Sequence, residues 1–331
     1  KAYMHITRAE LGAAIAEAHK RGLKVTGHLC SVTYREAAAL GIDNLEHGFF
    51  VSTDFVRDKK PDVCPGQNTG LAAIAEAHKR GLKVTGHLCS VTYREAAALG
   101  IDNLEHGFFV STDFVPDKKP DVCPGQNTGL ATIATLTPDS ARVRDLIADL
   151  VRRHVAITST LTVFETLVPG RPMPPGLDVL DPILHEEFAQ RYAAVQRDTT
   201  RRFDAIFAHA RALEVAFMRA GGLLIAGTDP TGGGGVIPGY SNQRELELLV
   251  ESGLTPLEAI KVGTLNGALY LGREKQVGSI AVGKQADLVV INGDPSKNIA
   301  DIAHVELVFR QGIGYDPEKL IASVRGKVGL F

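Results

Sequence analysis

A strand–helix–strand pattern between Gly22 and Gly48 constrains this chain more than any other feature. Two short β-type segments, 23–28 and 42–47, end in His28 and His47, and an Ala-rich helical segment separates them. Strands that alternate with helices at this spacing predict right-handed βαβ units in a parallel sheet. The two histidines would then lie at the same edge of that sheet, as ligands on adjacent strands.

The same unit occurs twice, because residues 13–71 align without a gap to residues 72–130. Only Arg57 and Pro116 differ between the copies, and His87 and His106 repeat the two strand-end histidines. Natural repeats keep their pattern positions and diverge elsewhere. Near identity therefore indicates a very recent duplication or an artefact of cloning or sequence assembly. The second copy adds no independent evidence for function.

Composition bounds the class of protein. An apolar content of 44% and a charged content of 22% are those of a soluble globular chain. A net charge of −2 gives no electrostatic basis for a nucleic-acid or membrane partner. We expect a cytoplasmic protein whose natural N-terminus lies before Lys1, because the chain begins inside a strand-like run without a signal-peptide pattern.

The four cysteines are two positions that each occur twice, so their even number does not indicate disulfides. No Cys-x-x-Cys pair is present, which argues against a thiolate metal site. We predict buried, small apolar groups in a reducing compartment for all of them: Cys30, Cys64, Cys89 and Cys123.

The rest of the chain continues the α/β alternation and then changes character. Strands are predicted at 155–160 and 222–229, with a long helical region broken near residues 198–200 between them. Helices at 242–251 and 256–270 are followed by strands at 277–280, 286–291 and 305–311 without intervening helices. The predicted domains are therefore a barrel region at 1–272 and a small β element with the C-terminal tail at 273–331.

Three strand ends carry the candidate chemistry. His28 or His87, His47 or His106, and Asp229 each end a predicted parallel strand, where active sites of parallel barrels lie. Imidazole and carboxylate groups bind zinc while leaving a position open for water, and the bound ion supplies hydroxide at neutral pH. Asp229 could take the proton of that water and pass it to a leaving group. By continuity with the later strands we favour His87 and His106 beside Asp229.

Each residue also has a simpler interpretation. A strand-end histidine is more often a hydrogen-bonded structural residue, and Asp229 could cap the next helix. The Gly232–Gly235 run lacks a P-loop lysine and predicts a mobile loop. Solvated or packed roles are predicted for the remaining histidines: His5, His19, His78, His154, His185, His209 and His304.

Several segments resemble the amidohydrolase superfamily, most closely the imidazolonepropionase-like and Xaa-Pro-dipeptidase-like metal-dependent hydrolases. The resemblance to its strands five, six and eight lies in Thr26-Gly-His28, Asn44-Leu-Glu-His47-Gly48 and Ala226-Gly-Thr-Asp229. The resemblance to its C-terminal hallmark lies in Thr255–Ala259, Gly263–Ala268 and Gly278–Val290.

This resemblance implies a (β/α)₈ TIM-type barrel with a small β-sandwich, and one or two divalent metals such as Zn²⁺. His28/His87 and His47/His106 would be metal ligands, and Asp229 would both bind metal and act as acid and base. Lys1 lies where binuclear relatives carry a metal-bridging carboxylated lysine. The first-strand His-x-His pair is missing among the eleven histidines, so the barrel is expected to be incomplete at the N-terminus.

The leading hypothesis is therefore a metal-dependent hydrolase that cleaves an amide-type C–N bond in a peptide or small cyclic amide. One alternative is a catalytically silent barrel fragment with a structural or assembly role. Another is a lactonase or organophosphate-type hydrolase on the same metal site. The family resemblance also implies a homo-oligomer.

Overall fold

The computed structural model describes residues 2, 6–27, 29–45, 53–54, 59–63, 70–120, 122–124, 126–230 and 235–329. The chain divides into two compact units. The first contains residues 1–104 and 116–124, and the second contains residues 105–115 and 125–330.

The first unit contains the first copy of the repeat and most of the second, and the described residues of each copy form the predicted strand–helix–strand order. The parallel pairs are β1 with β2 and β3 with β4, and a helix lies between the two strands of each pair. In chain order the elements are α1 Arg8–Lys20, β1 Thr26–Gly27, α2 Tyr34–Ala39, β2 Asn44–Leu45, α3 Gly70–Lys79, β3 Thr85–Gly86, α4 Tyr93–Ala98 and β4 Asn103–Glu105.

Local capping fixes where the helices of the repeat begin. Thr33 caps α2 and Thr92 caps α4. Each threonine hydroxyl accepts a hydrogen bond from the backbone N–H of the glutamate three residues later, Glu36 or Glu95. The side chain of that glutamate accepts in return from the backbone N–H of the threonine. These reciprocal bonds satisfy two donors that a helix start would otherwise leave free. Thr7 and Glu10 form the same capping box at α1.

The strands of the repeat are held by an aspartate that the sequence analysis did not single out. Asp102 accepts from Val84 N at 2.6 Å and lies 2.9 Å from His78 Nε2. Asp43 makes the equivalent contacts with Val25 and His19 in the first copy. The two histidines therefore have a structural role, which joins the end of a helix to the loop before the second strand.

The prediction for the cysteines was wrong at Cys89 and Cys123. These two residues form a disulfide across 34 positions of sequence, with their Cα atoms 4.9 Å apart. Cys123 is exposed, so it is not a buried apolar group. The exact duplication hid the pairing, because each cysteine position occurs twice.

The second unit begins with a parallel α/β arrangement. Strands β5 and β6 pair in parallel, with Ile157 opposite Leu224, and both strands are largely buried. The helices and strands of this part of the unit are, in chain order, α5 Gln126–Ile133, α6 Ala141–Arg152, β5 Ala156–Ser159, α7 Leu161–Glu165, α8 Pro182–Gln196, α9 Arg202–Arg219, β6 Leu224–Ala226, α10 Tyr240–Glu251, α11 Pro256–Lys261 and α12 Gly267–Tyr270.

The segment after α11 packs against β6. A π-helical turn at Val262–Asn266 joins α11 to α12. The buried Asn266 side chain donates from Nδ2 to the Leu224 carbonyl at 2.7 Å, which anchors this turn to β6. The asparagine of the family-like segment therefore holds the strand that leads to Asp229.

A separate antiparallel sheet closes the second unit. It contains β7 Leu288–Ile291, β8 Val305–Arg310 and β9 Ile313–Tyr315, and α13 Pro317–Val324 follows. This confirms the predicted strands at 286–291 and 305–311. The predicted strand at 277–280 was wrong, since these residues form bends, and β9 was missed.

The fold is thus α/β, with parallel strand pairs and a distinct antiparallel sheet near the C-terminus. Within the described ranges, no helix combines the length and the apolar character that a membrane crossing requires. Closure into a barrel and the domain division at 272/273 stay predictions.

A substitution at Phe217 on α9 tests the packing of the hydrophobic core in the second unit. Its side chain is fully buried and its ring centroid lies 6.4 Å from that of Phe108. We expect Phe217→Ala to lower the free energy of unfolding by about 3–5 kcal/mol because it leaves a cavity. Leu257→Ala, at an exposed position, should change it by about 0.5 kcal/mol or less. Urea unfolding followed by circular dichroism measures both, and equal effects would contradict this packing.

Candidate functional site

Two of the sequence-predicted site residues come together in the second unit. His106 directly follows β4 and Asp229 lies three residues after the end of β6. His106 Nε2 and Asp229 Oδ2 are 3.8 Å apart, with the histidine side chain 9% exposed and the aspartate side chain 39% exposed. A buried imidazole therefore faces a carboxylate that water can reach.

The backbone at both residues is strained. His106 has φ 69° and Asp229 has φ 42°, in the left-handed region that residues other than glycine rarely adopt. Such conformations cost about 1–3 kcal/mol and occur preferentially at functional sites. Here the strain turns two side chains from different strand ends toward each other.

The His106 ring is oriented by the segment that follows β5. Its Nδ1 lies 2.8 Å from the Thr160 hydroxyl, and Phe164 on α7 meets the ring edge to face with centroids 6.0 Å apart. Phe164 also stacks on Phe109. When the Thr160 oxygen accepts from Nδ1–H, the lone pair of Nε2 points to the side where Asp229 lies.

The other predicted ligands are not part of this pair. His87 follows β3 in the first unit and is exposed. In the described part of the chain, no group of three or more His, Cys, Asp or Glu side chains is arranged to hold a metal ion. Three predicted ligands lie outside the described residues: Lys1, His28 and His47.

The sequence analysis predicted solvated or packed roles for the other histidines and a mobile loop for the glycine run. His154, His185 and His304 are exposed, and His209 Nδ1 bonds the Leu136 carbonyl, so these four are solvated or packed as predicted. His5 and the Gly232–Gly234 part of the glycine run lie outside the described residues.

Sequence reasoning missed a buried polar cluster at the end of β5. The Ser159 hydroxyl oxygen lies 2.6 Å from Glu214 Oε2 and 2.7 Å from Glu245 Oε1. Ser159 is fully buried and both glutamates are 1% exposed. A signal existed, because each glutamate occupies a core-facing position of its helix, near Phe217 on α9 and Leu249 on α10.

Burial governs the protonation of this pair. Desolvation raises the pKa of Glu214 to about 8, partly opposed by the Ser159 hydrogen bond. Desolvation also raises the pKa of Glu245 to about 7, against its hydrogen bonds from Ser159, Thr162 and Leu161. At physiological pH, at least one of the two carboxyl groups is therefore protonated in a large share of the molecules.

Glu245 also determines how α7 begins. Its Oε1 accepts from Leu161 N at 3.2 Å and its Oε2 accepts from Thr162 N at 3.0 Å. Thr160 occupies the N-cap position but makes no side-chain cap. A carboxylate from α10 thus caps α7, while the Thr160 hydroxyl contacts His106 instead.

Gly107 permits this cluster to approach the candidate site. It has φ 59°, and its N–H donates to the Thr158 carbonyl at 2.8 Å. A Cβ at this position would lie 1.8 Å from Glu214 Oε1. Only glycine fits directly after His106, because any side chain would collide with the buried carboxyl.

An arginine–glutamate network covers the other side of α7. Glu165 accepts at 2.7 Å from Arg171 Nε and from Arg244 Nη2, and both arginines also bond Glu251. The network adjoins a cavity of about 30 Å³ beside the proline-rich segment 172–175. This volume accommodates about one water molecule.

The comparison with protein families identifies the fold. Residues 65–313 match the amidohydrolase family. This chain belongs to that family. The superfamily resemblance inferred from the strand-end and C-terminal segments is therefore confirmed.

Curated relatives of this amidohydrolase match short stretches. The chain is 36% identical over 83 residues to imidazolonepropionase from Geobacillus kaustophilus, a match that covers 23% of this chain and 20% of the relative. It is 41% identical over 58 residues to 5'-deoxyadenosine deaminase from Methanobrevibacter smithii, covering 18% of this chain and 13% of the relative. The matches thus span a fifth or less of these relatives.

Solved structures support the fold over the whole chain. Bottromycin amidohydrolase superposes with a TM-score of 0.54 at 16% identity, covering 98% of this chain and 79% of that one. A putative prolidase from Bifidobacterium longum superposes with a TM-score of 0.50 at 21% identity, covering 96% of this chain and 63% of that one.

Gly107→Ala tests the approach of Glu214 to the site. We expect a loss of more than about 2 kcal/mol in the free energy of unfolding, because alanine is strained at this φ and collides with the buried carboxyl. Gly267→Ala is the control, since a Cβ there meets open space inside a helix and should change stability by about 1 kcal/mol or less. Wild-type stability of Gly107→Ala in urea unfolding would contradict the contact.

Glu214→Gln tests the raised pKa. The folded-state pKa of about 8 lies above the ordinary glutamate pKa of 4.5, so the folded state binds the proton more tightly. The resulting stability is fully present below pH 4.5 and is lost as the pH rises through 8.

The raised pKa of Glu214 should lower the free energy of unfolding by up to about 1.4 kcal/mol per pH unit between these values. Glu214→Gln should remove this contribution, while that of Glu245, whose pKa is raised to about 7, remains. Circular dichroism of urea unfolding at several pH values measures it. The exposed Glu186→Gln is the control and should retain the wild-type slope. A slope that Glu214→Gln leaves unchanged would contradict the assignment.

Proposed function

We propose that this amidohydrolase is a metal-dependent hydrolase that cleaves an amide-type C–N bond in a small molecule or peptide. The observation that carries the proposal is the His106–Asp229 pair, with Nε2 and Oδ2 3.8 Å apart at the ends of parallel strands. Deaminases, an imidazolonepropionase and prolidases among the similar proteins support chemistry at carbon–nitrogen bonds.

The donor chemistry of this pair fits a divalent cation such as Zn²⁺. A Zn–N bond of up to about 2.1 Å and a Zn–O bond of up to about 2.2 Å together span about 4.3 Å, so both atoms can reach one ion. The Thr160 contact supports the neutral imidazole that binds metals through Nε2, as hydrogen-bonded ligands commonly do. We propose His106 and Asp229 as ligands of one or two metals in total. The sequence predictions of His87 or its duplicate His28, of His47 as the duplicate of His106, and of Lys1 stay predictions.

The bound ion would make a nearby water acidic enough to lose a proton near neutral pH. Asp229 is the base that accepts this proton, because its carboxylate is partly open to solvent beside the buried imidazole. The hydroxide that remains would form the new bond to the substrate carbon, and the same carboxyl would return the proton to the departing nitrogen as the C–N bond breaks. His106 keeps its orientation throughout, because Thr160 and Phe164 contact its ring.

The finer architecture belongs to the same proposal. We propose that the parallel strands form part of a (β/α)₈ barrel. The barrel region would extend over residues 1–272, and the antiparallel sheet formed by β7, β8 and β9 would be part of a small β-sandwich in residues 273–331. Assembly into a homo-oligomer and a cytoplasmic location are proposed with it.

A catalytically silent barrel is the second candidate function. It is favoured by one observation, that no third metal-binding side chain joins His106 and Asp229 among the described residues. Under this alternative the chain would have a structural or assembly role.

Metal content decides between the two candidates. We expect purified wild-type protein incubated with Zn²⁺ to retain the metal after dialysis, and His106→Asn to lose most of it. Asparagine suits the left-handed backbone at this position, so the variant should fold. The exposed His185→Asn is the control and should bind as the wild type does. Retention of no metal by the wild type would favour the silent barrel.

Asp229→Asn separates binding from proton transfer. We expect it to keep some metal but to reduce hydrolysis at least about a hundredfold, the usual scale for a general acid–base residue. Release of amine or ammonia from prolyl dipeptides, N-acyl amino acids and adenosine-type compounds measures turnover. Unchanged turnover of a substrate that the wild type hydrolyses would remove Asp229 from this role.

A further inference from the structure

The contacts of Ser159 determine how many protons its two carboxyl neighbours hold. Its oxygen lies within hydrogen-bond distance of Glu214 Oε2 and of Glu245 Oε1. A serine hydroxyl has a single proton and therefore donates to only one of them. The second short contact requires a carboxyl O–H that donates to the serine oxygen. One of the two glutamates is therefore protonated.

The surroundings assign that proton to Glu214. Glu245 accepts from two backbone N–H groups, at Leu161 and Thr162, in addition to the serine. Glu214 Oε1 has no hydrogen-bond partner within the described structure and lies against Gly107. Negative charge is stabilised where donors converge, so it resides on Glu245. The higher pKa of Glu214 agrees with this direction.

The hydrogen bonds then run in one direction through the core. With the shared proton on Glu214, its carboxyl would donate to the Ser159 oxygen across the 2.6 Å contact. Ser159 would then donate to the Glu245 carboxylate, which accepts from the first turn of α7. Because Glu245 caps the helix, the Thr160 hydroxyl remains available for His106 Nδ1. The chain thus connects α9, β5 and α10 to the ring of a site residue.

We propose that Ser159 is a positioning residue for His106, which joins a protonated Glu214 to an ionised Glu245 and so fixes the Thr160 contact that selects the Nδ1–H form of the imidazole. The proposal extends the proposed function only through the role given there to His106. Ser159, Glu214 and Glu245 do not touch the reacting atoms in this mechanism.

The tautomer of His106 provides the first test. Metal-free protein labelled with ¹⁵N-histidine is examined by NMR at about pH 7.5, between the pKa of Glu245 at about 7 and that of Glu214 at about 8, and His106→Asn assigns the signal. We expect the Nδ1–H form to predominate in the wild type and in Ser252→Ala, a control whose hydroxyl bonds only the Leu248 carbonyl. Ser159→Ala and Glu245→Gln should shift the population toward the Nε2–H form. A wild-type signal in folded Ser159→Ala would overturn the proposal.

Glu214→Gln decides the question if Ser159→Ala does not fold. The glutamine amide donates to the serine oxygen as a protonated carboxyl does, so we expect the wild-type His106 signal. A shifted signal in this variant would overturn the proposal. It would mean that the His106 tautomer depends on an ionised Glu214 that accepts a hydrogen bond from Ser159, rather than on a protonated Glu214 that donates one.

Infrared spectroscopy tests the proton itself. We expect the carbonyl band of a protonated carboxyl at pH 7 in the wild type, its loss in Glu214→Gln and its retention in Glu245→Gln. A band lost only in Glu245→Gln would contradict the assignment. Both measurements use metal-free protein without substrate. Absence of metal binding or hydrolysis would therefore defeat the proposed function and leave this inference standing, and the reverse also holds.

Discussion

The carboxylate of Glu245 at the start of α7 is the contact on which the candidate site depends. A helix that begins directly after a buried strand leaves N–H groups that need acceptors. The residue best placed to supply one, Thr160, uses its hydroxyl for His106 instead. A glutamate from α10 therefore enters the core to cap the helix, and Ser159 and Glu214 offset the cost of burying its charge.

Backbone conformation explains why the site lies where the strands end. His106 and Asp229 leave their strands in left-handed conformations, which turn the side chains away from the direction that a continuing strand would give them. Gly107 completes this turn because it has no side chain to collide with Glu214. The same few residues thus orient the imidazole, admit the buried carboxyl and end the strand.

The near-identical repeat separates local from tertiary effects. Both copies form the same helix caps and the same Asp–His contact before the second strand, so these features follow from the local sequence. Burial differs between the copies, because Asn103 is buried while Asn44 is exposed. Identical residues therefore acquire different surroundings from the chain that packs around them, and family membership rests on residues 65–313, which include the second copy.

The sequence by itself determined the α/β alternation, the capping boxes, and the strand ends that carry His106 and Asp229, because periodicity and capping depend on residues a few positions apart. It did not determine the Ser159 cluster or the Cys89–Cys123 disulfide. Ser159 meets partners 55 and 86 positions away, and the two cysteines are separated by 34. Contacts at such distances depend on how helices and strands pack, so only the tertiary structure decided which acids are buried together and which atom of His106 faces Asp229.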